Sequence, residues 1–125
     1  MKTITKAIPL PKLLKKTQDV FNRWIRSRDK DKGCISCGAV VTEAGHYHSA
    51  GHYSALRFSE INTNGQCTRC NCFLSGNLIH YRQGLVKRYG EEKVLMLENS
   101  ARFVRIKKWS RFELETLISH YKKYL

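Results

Sequence analysis

The 125-residue chain holds five cysteines, and four of them form two matched pairs. Cys34-x-x-Cys37 and Cys67-x-x-Cys70 are separated by 29 residues. One tetrahedral Zn²⁺ takes four soft thiolates, and each Cys-x-x-Cys turn presents two sulfurs on one side of a tight loop. Gly38, just after the first pair, suits the sharp backbone turn of such a knuckle. Disulfides and a thiol redox pair are the competing readings. A reducing cytosol disfavours the first, and the duplicated spacing disfavours the second. Structural zinc on Cys34, Cys37, Cys67 and Cys70 is therefore expected, which leaves Cys72 as a small buried residue. Between and just behind the pairs stand His46, Asn62 and Asn71. A neutral imidazole near pH 7 can accept a proton, and an amide oxygen is a hard ligand suited to Mg²⁺.

These groups need elements to position them. After an irregular lead-in over residues 1–11, Leu13, Leu14, Val20, Phe21, Trp24 and Ile25 recur at helical spacing, predicting an amphipathic helix from Lys12 to about Arg28. Asp29-Lys-Asp-Lys-Gly33 is a polar stop. Residues 34–66 read as short and β-like, with Ala39-Val-Val-Thr42 and His46-Tyr-His48 as strand candidates and a hairpin inserted between the knuckles. A second helix is expected from Thr68–Cys70, broken at Ser75-Gly76, continuing to Tyr89 with Gly90 past its end. Asn77 reads as the N-cap of its second part or, less favoured, as a residue that supports the site from behind. Glu91 to Glu98 predicts a short helix, and Ser110-Arg-Phe-Glu113 has the spacing of a capping box opening the last one. The division is 1–33 for the basic lead-in and helix, 34–90 for the zinc-stapled core and 91–125 for C-terminal helices packed on it, one domain overall.

Charge follows the same division. Lys plus Arg is 23 against 10 acidic residues, a net +13 that costs self-repulsion unless a polyanion neutralises it. Residues 1–32 carry +7, residues 33–75 are neutral, and residues 76–125 carry +6. At 42% hydrophobic the chain is too apolar for a disordered basic tail. No apolar run is long enough to span a membrane or to serve as a secretory signal, so a cytoplasmic protein without a membrane partner is expected. Basic arms for phosphates around a chemically loaded centre suit a nucleic-acid enzyme. The plainer reading is that solvated helices simply carry Lys and Arg.

The order His46, Asn62, Cys67-x-x-Cys70-Asn71 resembles the HNH, or ββα-metal, nucleases, with Asn in place of the last His. The match is closer to one family. Cys34-Ile-Ser-Cys-Gly38, Ala44-Gly-His46, Leu56-Arg-Phe58, Asn62, Gln66-Cys-Thr-Arg-Cys-Asn71, Ser75-Gly-Asn77 and Tyr81-Arg82 look like the phage NinG (Rap) recombination proteins, from about residue 12 to the end of the chain. The core is also similar to phage endonuclease VII. The resemblance implies an α+β fold in which residues 34–90 are an HNH-like catalytic core with a four-cysteine zinc site, flanked by basic amphipathic helices. It implies a structure-specific DNA endonuclease acting on branched recombination intermediates such as D-loops and Holliday junctions. His46 would be the general base, Asn71 the ligand of a catalytic Mg²⁺ or Mn²⁺, and Asn62 a loop-fixing residue of the catalytic site.

One departure stands out. Many HNH enzymes carry an acidic metal ligand immediately before the base, and here that neighbour is Gly45. Glu43 or His48 would supply a second ligand, or Asn71 holds the cation with waters and phosphate oxygens. Glu43 shares a strand face with Gly45, and His48 shares one with His46. Arg57 either holds a phosphate or pairs with Glu60. Arg69, Arg82, Lys15, Lys16 and Arg23 are further candidate DNA contacts, while His52 and His120 read as surface residues. A junction has paired strands to cut, so a symmetric homodimer is the economical expectation. The alternatives are a non-catalytic zinc-ribbon DNA-binding module and an HNH nuclease acting on ordinary duplex.

Overall fold

The computed structural model describes residues 7–125, so residues 1–6 of the expected lead-in lie outside the described residues. The first helix, α1, spans Leu10–Asp29, starting two residues earlier than the spacing predicts because Pro11 fits its first turn. Leu13, Thr17, Phe21, Ile25 and Asp29 are its buried residues, a single stripe at four-residue spacing. That stripe packs on the last helix, α4, which the Ser110–Glu113 capping box opens and which runs Arg111–Lys122. Phe21 meets Tyr121 and Phe58 edge-on, with ring centres 5.0 and 5.7 Å away. This aromatic cluster is one half of the core.

The middle of the chain is a two-stranded antiparallel sheet. β1 (Glu43–His46) pairs with β2 (Thr63–Gln66), in the register Glu43 opposite Gln66 and His46 opposite Thr63. The predicted strand at residues 39–42 is irregular instead. Its backbone closes the first cysteine turn, where the Cys34 N–H donates to the Ala39 carbonyl at 2.7 Å, and Val40 is left 78% exposed. After β2 comes one turn of π-helix, Arg69–Phe73, then a bend through left-handed Ser75, Gly76 and Asn77. Two helices follow, α2 (Leu78–Tyr89) and α3 (Glu91–Phe103), the latter longer than the predicted Glu91–Glu98 because Ala101 extends its buried face. Ile35, Tyr81, Leu85, Val94 and Leu97 form the second half of the core.

A buried polar network joins the two halves. Asp29, wholly buried at the end of α1, accepts from Arg28 at 2.7 and 2.9 Å and from the Gly65 N–H of β2 at 2.8 Å. Arg28 also donates to the Thr63 carbonyl, and Arg88 of α2 reaches Asn64. Burial alone would raise the Asp29 pKa, but the Arg28 and Gly65 donors outweigh it and hold the carboxyl below its ordinary range. Tyr81, fully buried, donates its hydroxyl to the Gly45 carbonyl at 2.7 Å and so pins β1 to α2.

Candidate functional site

The fold brings both cysteine pairs together. Their four Sγ atoms all lie within 4.8 Å of one another, and Cys37 Sγ is 3.6 Å from Cys67 Sγ. Thiolates at about 2.3 Å around a tetrahedral zinc stand about 3.8 Å apart, so this cluster could hold a zinc ion. Backbone groups support the sulfurs. The Cys70 N–H donates to Cys67 Sγ, and that bond draws the Cys67 thiol down to about 7, while burial pushes Cys70 up to about 12.

Asn77 occupies the expected position before α2 but does not cap it. Its left-handed backbone turns the side chain back, and Nδ2 donates to Cys70 Sγ at 3.5 Å. Gln66 ties the two knuckles together by donating from Nε2 to Ser36 Oγ and to the Gly76 carbonyl, both at 2.9 Å. For Asn77 this is the supporting role that stood as the alternative to a cap, whereas the role of Gln66 does not follow from residue type. Both residues stand in the motifs quoted above, which was the available signal.

The strand face shared by Glu43 and Gly45 meets the π-helical turn. Asn71 Nδ2 donates to Glu43 Oε1 at 2.7 Å, and Thr68 followed by Asn71 hold the Glu43 carboxyl below its ordinary range. The structure therefore sets Glu43 beside Asn71. Asn71 Oδ1 accepts no hydrogen bond among the described residues, leaving a hard oxygen free for a cation. Glycine suits position 45, because a Cβ would overlap Gln66 Oε1 as it now stands and lie 3.0 Å from Asn71 Oδ1. An acidic side chain at position 45 would have to displace the buried Gln66 amide. Cys72 is exposed rather than buried, and its thiol faces the Glu43 carboxylate at 3.3 and 3.6 Å. The short turn places it outside the core.

His46 lies on the other pleat of β1, with Ala44, so it does not share a face with Asn71. Its Nε2 stands 3.0 Å from the Arg57 carbonyl. A carbonyl only accepts, so Nε2 carries the proton and the lone pair is on Nδ1. Burial lowers the His46 pKa below its ordinary value, which keeps the ring neutral near pH 7. His48 turns to Asn62 instead, with its N–H 2.9 Å and its ring Nδ1 3.2 Å from Asn62 Oδ1. Asn62 is wholly buried and returns bonds from Nδ2 to the His48 and Leu56 carbonyls. It fastens the loop between the strands.

The candidate phosphate contacts divide. Arg82 is committed to Glu91 and Glu98, and Glu60 takes the Tyr121 hydroxyl rather than Arg57. Lys15 pairs with Asp19 at an exposed site. Among the described residues Lys16, Arg23, Arg57 and Arg69 make no ion pair, and Arg57 Nε is buried without a partner. His52 is exposed and bonds to Ser49, and His120 is exposed beside Tyr121, as surface residues do.

Fold and site together define a small α+β protein in which a four-cysteine cluster clamps a two-stranded hairpin to the turn and helix that follow it. The chain belongs to the NinG family: the family described as Bacteriophage Lambda NinG protein matches residues 2–125. It is 37% identical over 115 residues to Protein ninG of Escherichia phage lambda, covering 90% of this chain and 55% of that protein. It is 42% identical over 90 residues to Protein ninG of Escherichia phage 933W, covering 70% and 45%, and 36% identical over 115 residues to that of Salmonella phage P22, covering 90% and 55%. The chain thus spans about half the length of the relatives it matches. No solved structure matches it. No helix among the described residues is long and apolar enough to cross a membrane.

Proposed function

We propose that this chain is a divalent-metal-dependent DNA endonuclease of the HNH type, cutting branched recombination intermediates to leave 5′-phosphate and 3′-hydroxyl ends. The observation that carries the reading is on β1. Glu43 and Gly45 abut Asn71 on one pleat, and the next residue, His46, offers a neutral imidazole whose Nδ1 is free. Base and cation ligand are thereby served by consecutive residues of one strand. His46 Nδ1 takes a proton from water as the water oxygen bonds to phosphorus. The P–O3′ bond breaks, and the leaving oxygen is protonated from solvent. A Mg²⁺ or Mn²⁺ at Asn71 would stabilise the charge on phosphate and leaving oxygen. Asn71 presents its Oδ1 to that site, Glu43 orients the amide, and Asn62 holds the loop that supplies the Arg57 carbonyl.

Zinc on the four cysteines is the structural cofactor in this reading, and DNA is the partner, met by Lys16, Arg23, Arg57 and Arg69. The preference for D-loops and Holliday junctions rests on the likeness to the NinG family. A zinc-ribbon DNA-binding module is the second reading, favoured by the opposite pleats of His46 and Asn71. Gel cleavage of linear duplex, flap, D-loop and four-way junction with Mg²⁺ or EDTA separates the two. Metal-dependent cutting, greatest on branched DNA, is expected. Binding without cutting of any substrate would leave the module.

A further inference from the structure

We propose that Cys72 joins Glu43 and Asn71 in a second metal site, apart from the four-cysteine cluster, that takes a thiophilic divalent cation such as Zn²⁺ or Cd²⁺. The proposal builds on the reading of Asn71 as a cation ligand and adds a residue that the nuclease chemistry does not use. Cys72 Sγ lies 3.3 Å from Glu43 Oε1 and 3.6 Å from Oε2. Around a tetrahedral ion, a thiolate at about 2.3 Å and a carboxylate oxygen at about 2.1 Å stand roughly 3.6 Å apart. Thiol and carboxylate are already at the spacing of two ligands on one ion. Asn71 Nδ2 donates to the same carboxylate at 2.7 Å; a cation on that carboxylate replaces this hydrogen bond, and the amide binds the ion by turning its Oδ1 toward it.

A second feature points to the same place. Gln66 Oε1 is buried without a hydrogen-bond partner, although its amide nitrogen makes two bonds. It is directed at the notch over Gly45, where Asn71 Oδ1 also converges. β1, β2 and the turn thus bring a carboxylate, a thiol and two unpaired amide oxygens to one side of the hairpin. Oxygens alone suit Mg²⁺, whereas a thiolate shifts the preference toward zinc and cadmium. Cys72 sits at the exposed edge, so an incoming ion can reach it, and its proton leaves to solvent as the sulfur binds.

The test is a cadmium titration of the full chain with one equivalent of zinc already bound. Thiolate-to-cadmium absorption is followed in the ultraviolet, and released zinc is followed with a chromogenic chelator. The wild type should bind one cadmium with a new charge-transfer band and no loss of zinc. Cys72→Ser should lose the band and bind cadmium at least tenfold more weakly while keeping its zinc, and Glu43→Gln should bind it more weakly too. An unchanged band and affinity in Cys72→Ser, or cadmium uptake only by displacing zinc, would overturn the proposal. Cleavage assays on the same proteins report separately. A wild type that binds cadmium as expected but cuts no DNA removes the nuclease reading and leaves this site standing.

Discussion

His46 donates its Nε2 proton to the main-chain carbonyl of Arg57 across 3.0 Å, eleven residues along the chain. Because the acceptor is backbone, no side chain at position 57 is needed to set the tautomer. The Arg57 guanidinium is left to another task, and it has no ion-pair partner among the described residues.

Replacing His46 by Ala should lower single-turnover cleavage by ~10²–10⁴-fold, the range for loss of a general base, while zinc content and DNA affinity stay nearly constant. Arg57→Ala, which keeps the carbonyl, should weaken DNA binding more than the chemical step. The pH profile follows from burial. The His46 pKa is depressed, so the basic form persists to lower pH, and the rate should rise with an inflection below the ordinary value of about 6.5 and then level off. Undiminished cutting by His46→Ala would remove it from the mechanism.

Asn71→Ala removes the free amide oxygen rather than the base. Its defect should be partly relieved by raising Mg²⁺ or Mn²⁺, while that of His46→Ala should not. Metal titrations of the cleavage rate for both variants make the comparison. Equal responses would mean that Asn71 does not hold the cation.

Cys34→Ala or Cys70→Ala should release zinc and unfold the chain, because the knuckles join β2, the π-helical turn and α2 and folding is coupled to metal binding. Asn77→Ala should be milder. It deletes one N–H···S bond, so zinc should be lost at a lower chelator concentration while the fold measured by circular dichroism is retained. A stable metal-free Cys34→Ala protein would contradict the structural role of the zinc.

Asp29→Ala breaks a buried pair and leaves Arg28 and the Gly65 N–H without their acceptor. A loss of about 3–5 kcal/mol is expected in denaturant unfolding. The folded pKa of Asp29 lies below its unfolded value. Its stabilisation is therefore complete above the ordinary carboxylate pKa of about 3.9 and is lost as pH falls through the folded value. The unfolding free energy of Asp29→Ala should therefore fall less steeply with decreasing pH below about 3.9 than that of the wild type.

Binding through the basic flanking helices together with Lys16, Arg23, Arg57 and Arg69 should be electrostatic. With about 6 phosphate contacts, raising salt from about 50 to 200 mM should weaken binding by ~10³-fold, and Arg69→Ala should reduce the slope by about one contact. Fluorescence anisotropy with a labelled junction measures this. Affinity independent of salt would place the DNA elsewhere on the surface.

Much of this protein was legible in its residues. The duplicated Cys-x-x-Cys spacing named the four cysteines that cluster, the four-residue recurrence from Leu13 to Ile25 named the buried stripe of α1, and Ser110 with Glu113 named the start of α4. Each is a local pattern, read within a turn or two of chain. What required the tertiary structure involved partners distant in sequence. Residues 39–42 have β-forming side chains, but the Ala39 carbonyl is taken by the first cysteine turn, and only Thr42 bonds to β2. Asn77 has the right type for a cap, but a left-handed backbone sends its amide to Cys70. Cys72 looks like a core residue and stands in the open, because one π-helical turn fixes which way it faces. Strand alternation alone placed Glu43 with Gly45; only the packing of the Arg69–Phe73 turn against β1 showed that Asn71 meets Glu43 there, and that Gln66 fills the volume a side chain at Gly45 would need. Short-range periodicity is written in the order of the residues, whereas the contents of a site are decided by which side chains distant segments of chain bring into the same volume.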